Sequence, residues 1–452
     1  VRRPLQVPAP RADDLGVGKH RNDTEQQIAD LLRTAKKSLR LSVAFLSRLD
    51  GTTQHLEVVE SSVPFLFQEG VTQVQETTLC QAILDRKLPA VIPDLRKHPE
   101  AMKLPAARMP RIRSYVSVPV TLSDGTLYGT FCAAGLTTDK DLTRRDKALM
   151  DVLASAASVI IEPQVREEHR RTGIEGRLVP LIAAGGPVVA LQPIVDLATG
   201  VRVGAEALSR FPREWQQAPD VVFEEAHSVG LGDRLELLAL RRAADHLRQT
   251  EGYVAMNVSP GTLLTPGCAA LLGELPLDRV LLELSEHDPV DDYEALAATL
   301  APFRAAGLRL AIDDVGAGFS SLRHIVLTSP DVIKLDRSIV SGLDTDPVRT
   351  VLVRSLVDFA RGLEARVVAE GVETATEAEA LRALGVDHGQ GWHFGRPAVP
   401  EPQPPTPGPA DAAQPDAVQP PTPGPADAAR SVHPERIPRP RSEHGQVEVE
   451  RA

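Results

Sequence analysis

Seven apolar runs between residues 201 and 390 finish in a residue that can bind an ion or move a proton. The groups are Glu206, Asn257, Glu283 with Glu286, Asp313 with Asp314, Lys334 with Asp336, Glu370, and Gln390. Packing alone would not place acid, amide or amine at the end of run after run. The donor set is hard oxygen, carboxylates plus an amide carbonyl, with no required cysteine or histidine. That composition selects Mg²⁺, Mn²⁺ or Ca²⁺ over zinc. Asp313 and Asp314 are adjacent in "RLAIDDVGAGFSSL", and neighbouring carboxylates resist burial unless a cation sits against them. A pair of divalent ions about 3.5–4 Å apart needs a bridging carboxylate and further acids on each side. This inventory supplies them, so the cation against the aspartates is read as metal.

Side chains so distant in sequence converge only if the runs share one end. The runs begin near Val188, Val201, Tyr253, Val280, Leu308, Val332, Val367 and Asp387, and helical patterns such as "RLELLALRRAADHL" and "PVRTVLVRSLVDFARGL" lie between most of them. Alternating strand and helix over this length predicts an α/β fold, a (β/α) barrel whose strand C-termini form a single mouth. The first run meets the second through "ATG" alone, too short for a crossover, so that pair is expected to be antiparallel. Consecutive strand residues face opposite ways. Both aspartates are therefore expected to turn to the mouth where the strand breaks into "VGAGFSS".

The preceding segment, residues 22–162, reads as an α+β domain. A helix, "DTEQQIADLLRTAKKSL", carries Ile28, Leu31, Leu32 and Ala35 at helical spacing. Strand patterns follow at Ser42, Gln54, Tyr115 and Tyr128, the last two joined by the hairpin signal Asp124-Gly125. A helix capped by Thr143 or Asp141 comes next, with Leu149, Leu153, Ala156 and Ile160 as its apolar stripe. That stripe serves either packing within the domain or a dimer helix relaying a signal through the linker, residues 163–184. The barrel is assigned to 185–398. Residues 1–21 are expected to be flexible and 399–452 disordered; in the second stretch "PPTPGPADAA" occurs twice, and so little apolar surface cannot offset ordering entropy.

The net charge of -11 argues against a duplex nucleic acid as partner, because such proteins neutralise phosphates. Cys80, Cys132 and Cys268 are odd in number and widely spaced, predicting neither a disulfide framework nor zinc, and a reducing cytoplasm fits them. The greasiest stretch, Leu178 to Leu197, contains Pro and a Gly pair, so it reads as a helix end followed by a strand rather than a membrane span. Cys80 or Cys132 as a tetrapyrrole anchor, or His98 as a haem ligand, would each be a lone residue, and no sensor ligand is assigned.

"SYVSVPVTLSDGTLYGTFCAAG" followed by "LTRRDKALMDVLA" resembles a GAF sensory domain. "GAEALSR" carries the Glu206-Ala207-Leu208 signature of the EAL domain, and "LQPIVDLATG", "MNVS", "LELSE", "DDVGAGFSSL", "IKLDRS", "VVAEGVET" and "GQGWHFGRP" follow in that family's order. The resemblance implies a TIM-like barrel of EAL type, with an antiparallel first strand, that hydrolyses cyclic di-GMP to linear pGpG with two Mg²⁺ or Mn²⁺ ions. By the same resemblance Glu206, Asn257, Glu283 and Asp313 would hold one ion. Asp313, Asp314 and Glu370 would hold the other, with Asp336 nearby. Lys334 would orient the attacking water, Glu370 or Lys334 would take its proton, Glu286 would brace the aspartate loop, and Gln192, Arg210 and Gln390 would contact substrate. EAL barrels also pair, so a homodimer is expected. The family loop usually reads DDFGTGYSS; here Val315, Ala317 and Phe319 stand in its place, removing no ligand. A weak or inactive EAL domain that binds the nucleotide without cutting it is the competing expectation.

Overall fold

The computed structural model describes residues 22–63, 67–105, 112–285, 290–316 and 322–400. The N-terminal stretch, the repeated Pro/Ala segment, Glu286, Ala317 and Phe319 lie outside them. In the first domain a helix, Asp23–Leu39, starts at a reciprocal cap in which Asn22 and Glu25 bond each other's backbone. Six strands form one antiparallel sheet in the order β3-β2-β1-β6-β5-β4: β1 Val43–Leu49, β2 Thr53–Ser61, β3 Thr72–Val74, β4 Val91–Ile92, β5 Ser114–Thr121 and β6 Leu127–Gly135. The Asp124-Gly125 hairpin joins β5 to β6, Gly125 taking φ +88°.

A second helix, Arg144–Ala183, opens at Thr143, whose side chain and that of Asp146 cap one another; Asp141 is not the cap. The helix runs unbroken through the segment expected as linker. Its buried stripe is Met150, Leu153, Ala154, Ala157 and Ile161, packed with Ile28 and Leu32 of the first helix against the sheet. Of the expected stripe, Leu153 is in the core, while Leu149, Ala156 and Ile160 lie on its flank, one residue round the helix. This helix is long and apolar enough to cross a membrane by length and composition, but those core contacts use its apolar face. Farther on, Ile174, Leu178 and Ile182 pack on Val222, Ala226 and Leu235.

Cys80 and Cys132, well apart in sequence, are not lone residues. Their sulfurs lie 3.3 Å apart, and Tyr115 Oη sits 3.0 Å from Cys80 Sγ. With Gln54, Ser47, Ser117 and Thr130 they form a buried hydrogen-bonded cluster on the face of the sheet away from the two long helices. Sequence separation hid it because a strand and the short helix Leu79–Leu84 supply one cysteine each.

The second domain is a closed barrel in the order β10-β11-β12-β13-β14-β7-β8-β9. Its strands are β7 Val188–Asp196, β8 Arg202–Arg210, β9 Tyr253–Asn257, β10 Val280–Ser285, β11 Arg309–Val315, β12 Val332–Leu335, β13 Arg366–Ala369 and β14 His388–Gln390. β7 runs antiparallel to both neighbours and the rest are parallel, as the short connection between β7 and β8 leads one to expect. Because side chains repeat a face every two residues, the interior falls into layers. Tyr253, Arg309, Arg366 and His388 stand at the strand starts. Gly204, Ala255, Leu281, Ala311, Val332 and Val368 fill the middle, and Glu206, Asn257, Glu283, Asp313, Lys334, Glu370 and Gln390 close the other end. Gly204 is needed in that middle layer, since a Cβ there would meet the Tyr253 ring at 2.9 Å. Outside, helices Gly232–Ala244, Tyr293–Ala305, Pro347–Gly362 and Ala375–Leu384 contribute Leu240, Leu296, Val353, Val357 and Leu381 to one apolar core.

Candidate active site

Lys334 organises the closing layer. Its side chain is 1 % exposed, and its Nζ lies 2.7 Å from Glu370 Oε1, 2.9 Å from Asp313 Oδ2, 3.0 Å from Glu283 Oε1 and 3.7 Å from Glu206 Oε1. The cation expected against Asp313 is thus, in the first instance, supplied by the chain. Near an effective dielectric of 20 each such contact is worth on the order of 4 kcal/mol, enough to offset a burial cost of several kcal/mol per ion. Burial works against the ammonium, and Asp313, Glu206, Glu283 and Glu370 overcome it, holding Lys334 charged well above its ordinary range.

One ammonium cannot satisfy four acids. Burial drives the Glu283 carboxyl well above the usual range, with Glu206, Asp313 and Glu370 adding to it against Lys334. Glu370 is pushed up to about 8, by burial first and then by Asp313 and Glu206, again against Lys334. Glu206 goes the other way. Burial opposes its ionisation, but Lys334 and the side-chain amides of Gln390 and Asn257 outweigh it; Asn257 Nδ2 donates to Glu206 Oε1 at 3.1 Å. Glu283 is fully buried, and its Oε2 has no hydrogen-bond partner among the described residues. Surplus negative charge and an orphaned carboxylate oxygen are what further cations would satisfy.

The two aspartates reach the same side by a bulge, not by the strand breaking. Ile312 pairs with Ile333 and Val315 with Leu335, so Asp313 and Asp314 together oppose Lys334 alone. Two residues against one kinks a strand and re-aims its side chains. Asp314 takes φ +60°, a left-handed conformation that Asp tolerates better than most residues, and its backbone N–H donates to Asp313 Oδ1 at 2.8 Å. Carboxylate oxygens of Glu206, Glu283 and Asp313 lie within 4.8 Å of one another, and so do those of Asp313, Asp314 and Glu370. The residues present fit divalent cations, and Asp313 is common to both groups that could hold them.

Other expected residues fall around this centre. Gln390 Nε2 donates to Glu206 Oε2 and to Gln192 Oε1, and Gln192 Nε2 donates to the Gly395 carbonyl at 3.1 Å. Gln390 thus holds Glu206 from the β14 side, and Gln192 on β7 holds Gln390. Gly371, at φ +64°, turns the chain after Glu370 where a Cβ would strike Arg337 Cγ at 2.4 Å. Asp336 is not in either carboxylate group; its Oδ1 caps the short helix Arg337–Val340 by accepting from Ser338 N–H at 2.8 Å. Arg210 ends β8 and donates to the Ser209 carbonyl at 2.9 Å, apart from the carboxylates. Glu286 lies outside the described residues.

Residues 176–397 match the EAL domain and residues 23–161 the GAF domain. The chain is 33% identical over 308 residues to an uncharacterized protein of Mycobacterium tuberculosis (strain H37Rv), covering 62% of this chain and 48% of that protein. It is 34% identical over 224 residues to the Escherichia coli (strain K12) protein named "Probable cyclic di-GMP phosphodiesterase PdeB", covering 46% of this chain and 42% of that one. The chain thus spans about half the length of the curated relatives it matches. Among solved structures it resembles Klebsiella pneumoniae BlrP1 in a manganese and cyclic di-GMP complex, at 32% identity and TM-score 0.43, over 47% of this chain and 56% of that one. With its barrel, its strand-end acids and the matches to the two family models, the chain belongs to the EAL-domain family and carries a GAF domain ahead of the barrel.

Proposed function

We propose that this protein is a metal-dependent phosphodiesterase that opens cyclic di-GMP to linear pGpG under the control of its GAF domain. The observation that carries the reading is the pair of carboxylate groups sharing Asp313 around a buried lysine. Glu206, Asn257, Glu283 and Asp313 would hold one Mg²⁺ or Mn²⁺, and Asp313, Asp314 and Glu370 the second, with Asp336 at its edge. Two such ions would activate a water and neutralise the phosphodiester. Lys334 tempers the negative charge of the acids and, with those acids engaged by metal, would orient the attacking water. Glu370, 2.7 Å from Lys334 Nζ, stands where it can take up a proton, and the lysine beside it restrains the carboxylate. Gln192, Gln390 and Arg210 would contact the nucleotide, while Glu286 would brace the loop after Asp314. The name of the Escherichia coli relative supports the substrate.

The domains divide as a sensor over 22–162, a helical connection over 163–184 and the catalytic barrel over 185–398. The protein works as a homodimer, without duplex nucleic acid and without insertion in a membrane. Leu149, Val152, Ala156 and Val159 recur at the three-four spacing of a coiled-coil seam, and Val152 and Val159 are 66% and 71% exposed. Three free, buried cysteines are in keeping with the reducing cytoplasm.

Glu206→Gln tests the assignment without opening a cavity. Loss of a charged group at the reacting centre is expected to lower turnover of cyclic di-GMP by at least about 100-fold, with the protein still folded by circular dichroism. Turnover equal to wild type would remove Glu206 from the site.

A further inference from the structure

The end of the barrel opposite the carboxylates holds a second cluster of polar groups. Here the strands begin, and Tyr253, Arg309, Arg366 and His388, the first residues of β9, β11, β13 and β14, line a cavity of about 350 Å³ together with Arg279 and Asp278. Ala255, Leu281, Ala311 and Val368 form an apolar floor between this cavity and the Lys334 layer. The two polar clusters are therefore separate sites in one barrel.

Three features mark the cavity as built for a ligand. Tyr253 is 5% exposed and His388 3%, yet Tyr253 Oη and His388 Nδ1 have no hydrogen-bond partner among the described residues. An orphaned buried polar atom costs about 1–3 kcal/mol, and native proteins rarely leave one without a water or a ligand. Second, three arginines face a single acid in the lining, in a chain whose net charge is -11. Third, two of those arginines are positioned rather than loose. The Arg309 guanidinium lies 4.5 Å over the Tyr253 ring, and Arg279 donates to the carbonyls of Gly252 and Thr250. Arg366 has no side-chain hydrogen bond or ion pair among the described residues, leaving its donors for a guest.

We propose that this pole binds a small phosphorylated molecule, its phosphoryl group held by Arg366, Arg309 and Arg279 and by the Tyr253 hydroxyl. Guanidinium groups match phosphate oxygens two at a time, and several of them together suit a dianion. Inorganic phosphate would fill only part of the volume, which reaches the size at which small-molecule pockets begin, so the rest of the guest lies over His388 and the rim. Because the apolar floor divides the barrel, the site does not depend on the chemistry proposed for the mouth.

The probe is inorganic pyrophosphate, titrated into the full chain after divalent metal is stripped by a chelating resin, with sodium chloride at matched ionic strength as the control. Calorimetry and thermal melts should show saturable binding in wild type and in Glu206→Gln, whose change lies at the mouth. Arg366→Ala should weaken binding at least tenfold. Tyr253→Phe keeps the ring under Arg309 and should weaken it several-fold. The proposal is overturned if pyrophosphate acts no differently from chloride. It is equally overturned if Arg366→Ala merely lowers the melting temperature while binding as wild type does, or if Glu206→Gln abolishes binding.

Discussion

At the scale of single residues, the site rests on a bulge and a buried lysine. Asp314 occupies a backbone conformation open to Gly, Asn and Asp but strained for branched side chains. Asp314→Asn should keep stability within about 0.5 kcal/mol, as surface-scale changes do, while removing a carboxylate and with it most hydrolysis. Asp314→Val should cost about 1–3 kcal/mol in denaturant melts; equal stability of the two variants would mean the left-handed turn is not a constraint. Lys334→Met leaves Glu206, Glu283, Asp313 and Glu370 buried without their shared cation. Breaking a buried charge pair costs about 3–5 kcal/mol, so urea unfolding should register a loss of that size. A smaller loss would mean that protons replace the lysine as easily as the lysine restrains the acids.

Elements were legible where their period was long and regular. The alternation of strand and helix, the antiparallel first pair and the strand-end acids could all be read because apolar runs of several residues end abruptly in charge. The bulge could not, since nothing in "AIDDVG" signals that two residues will oppose one; that is decided by pairing with β12. β3 and β4, three and two residues long, carry too little pattern to see. The buried stripe of the 144–183 helix was misplaced because Leu149 and Met150 begin sets only one helical step apart, and contact with the sheet selects the second. The polar residues at the strand starts were passed over because a lone Arg or His before an apolar run resembles a solvated edge. The exposed seam of the same helix makes a prediction at this scale. Val159→Glu, at a site 71% exposed, should change monomer stability by no more than about 0.5 kcal/mol yet shift the mass in light scattering from dimer to monomer. An unchanged dimer would place the contact elsewhere.

For the whole molecule, the barrel brings to one end acids that lie up to 164 residues apart in the chain, from Glu206 to Glu370, and leaves them with more negative charge than one lysine can balance. That surplus is the reason to expect divalent ions. The measurement that bears most directly on this is release of pGpG from cyclic di-GMP by the full chain, stripped of metal and then given Mn²⁺, Mg²⁺ or Ca²⁺, with nucleotide binding followed in parallel. The account predicts no release without metal, repeated turnover with Mn²⁺ or Mg²⁺, and suppressed turnover with Ca²⁺, whose larger radius and looser geometry suit a two-ion site poorly. Saturable binding of cyclic di-GMP with no pGpG in Mn²⁺ or Mg²⁺ would contradict it and make the barrel a nucleotide-binding effector.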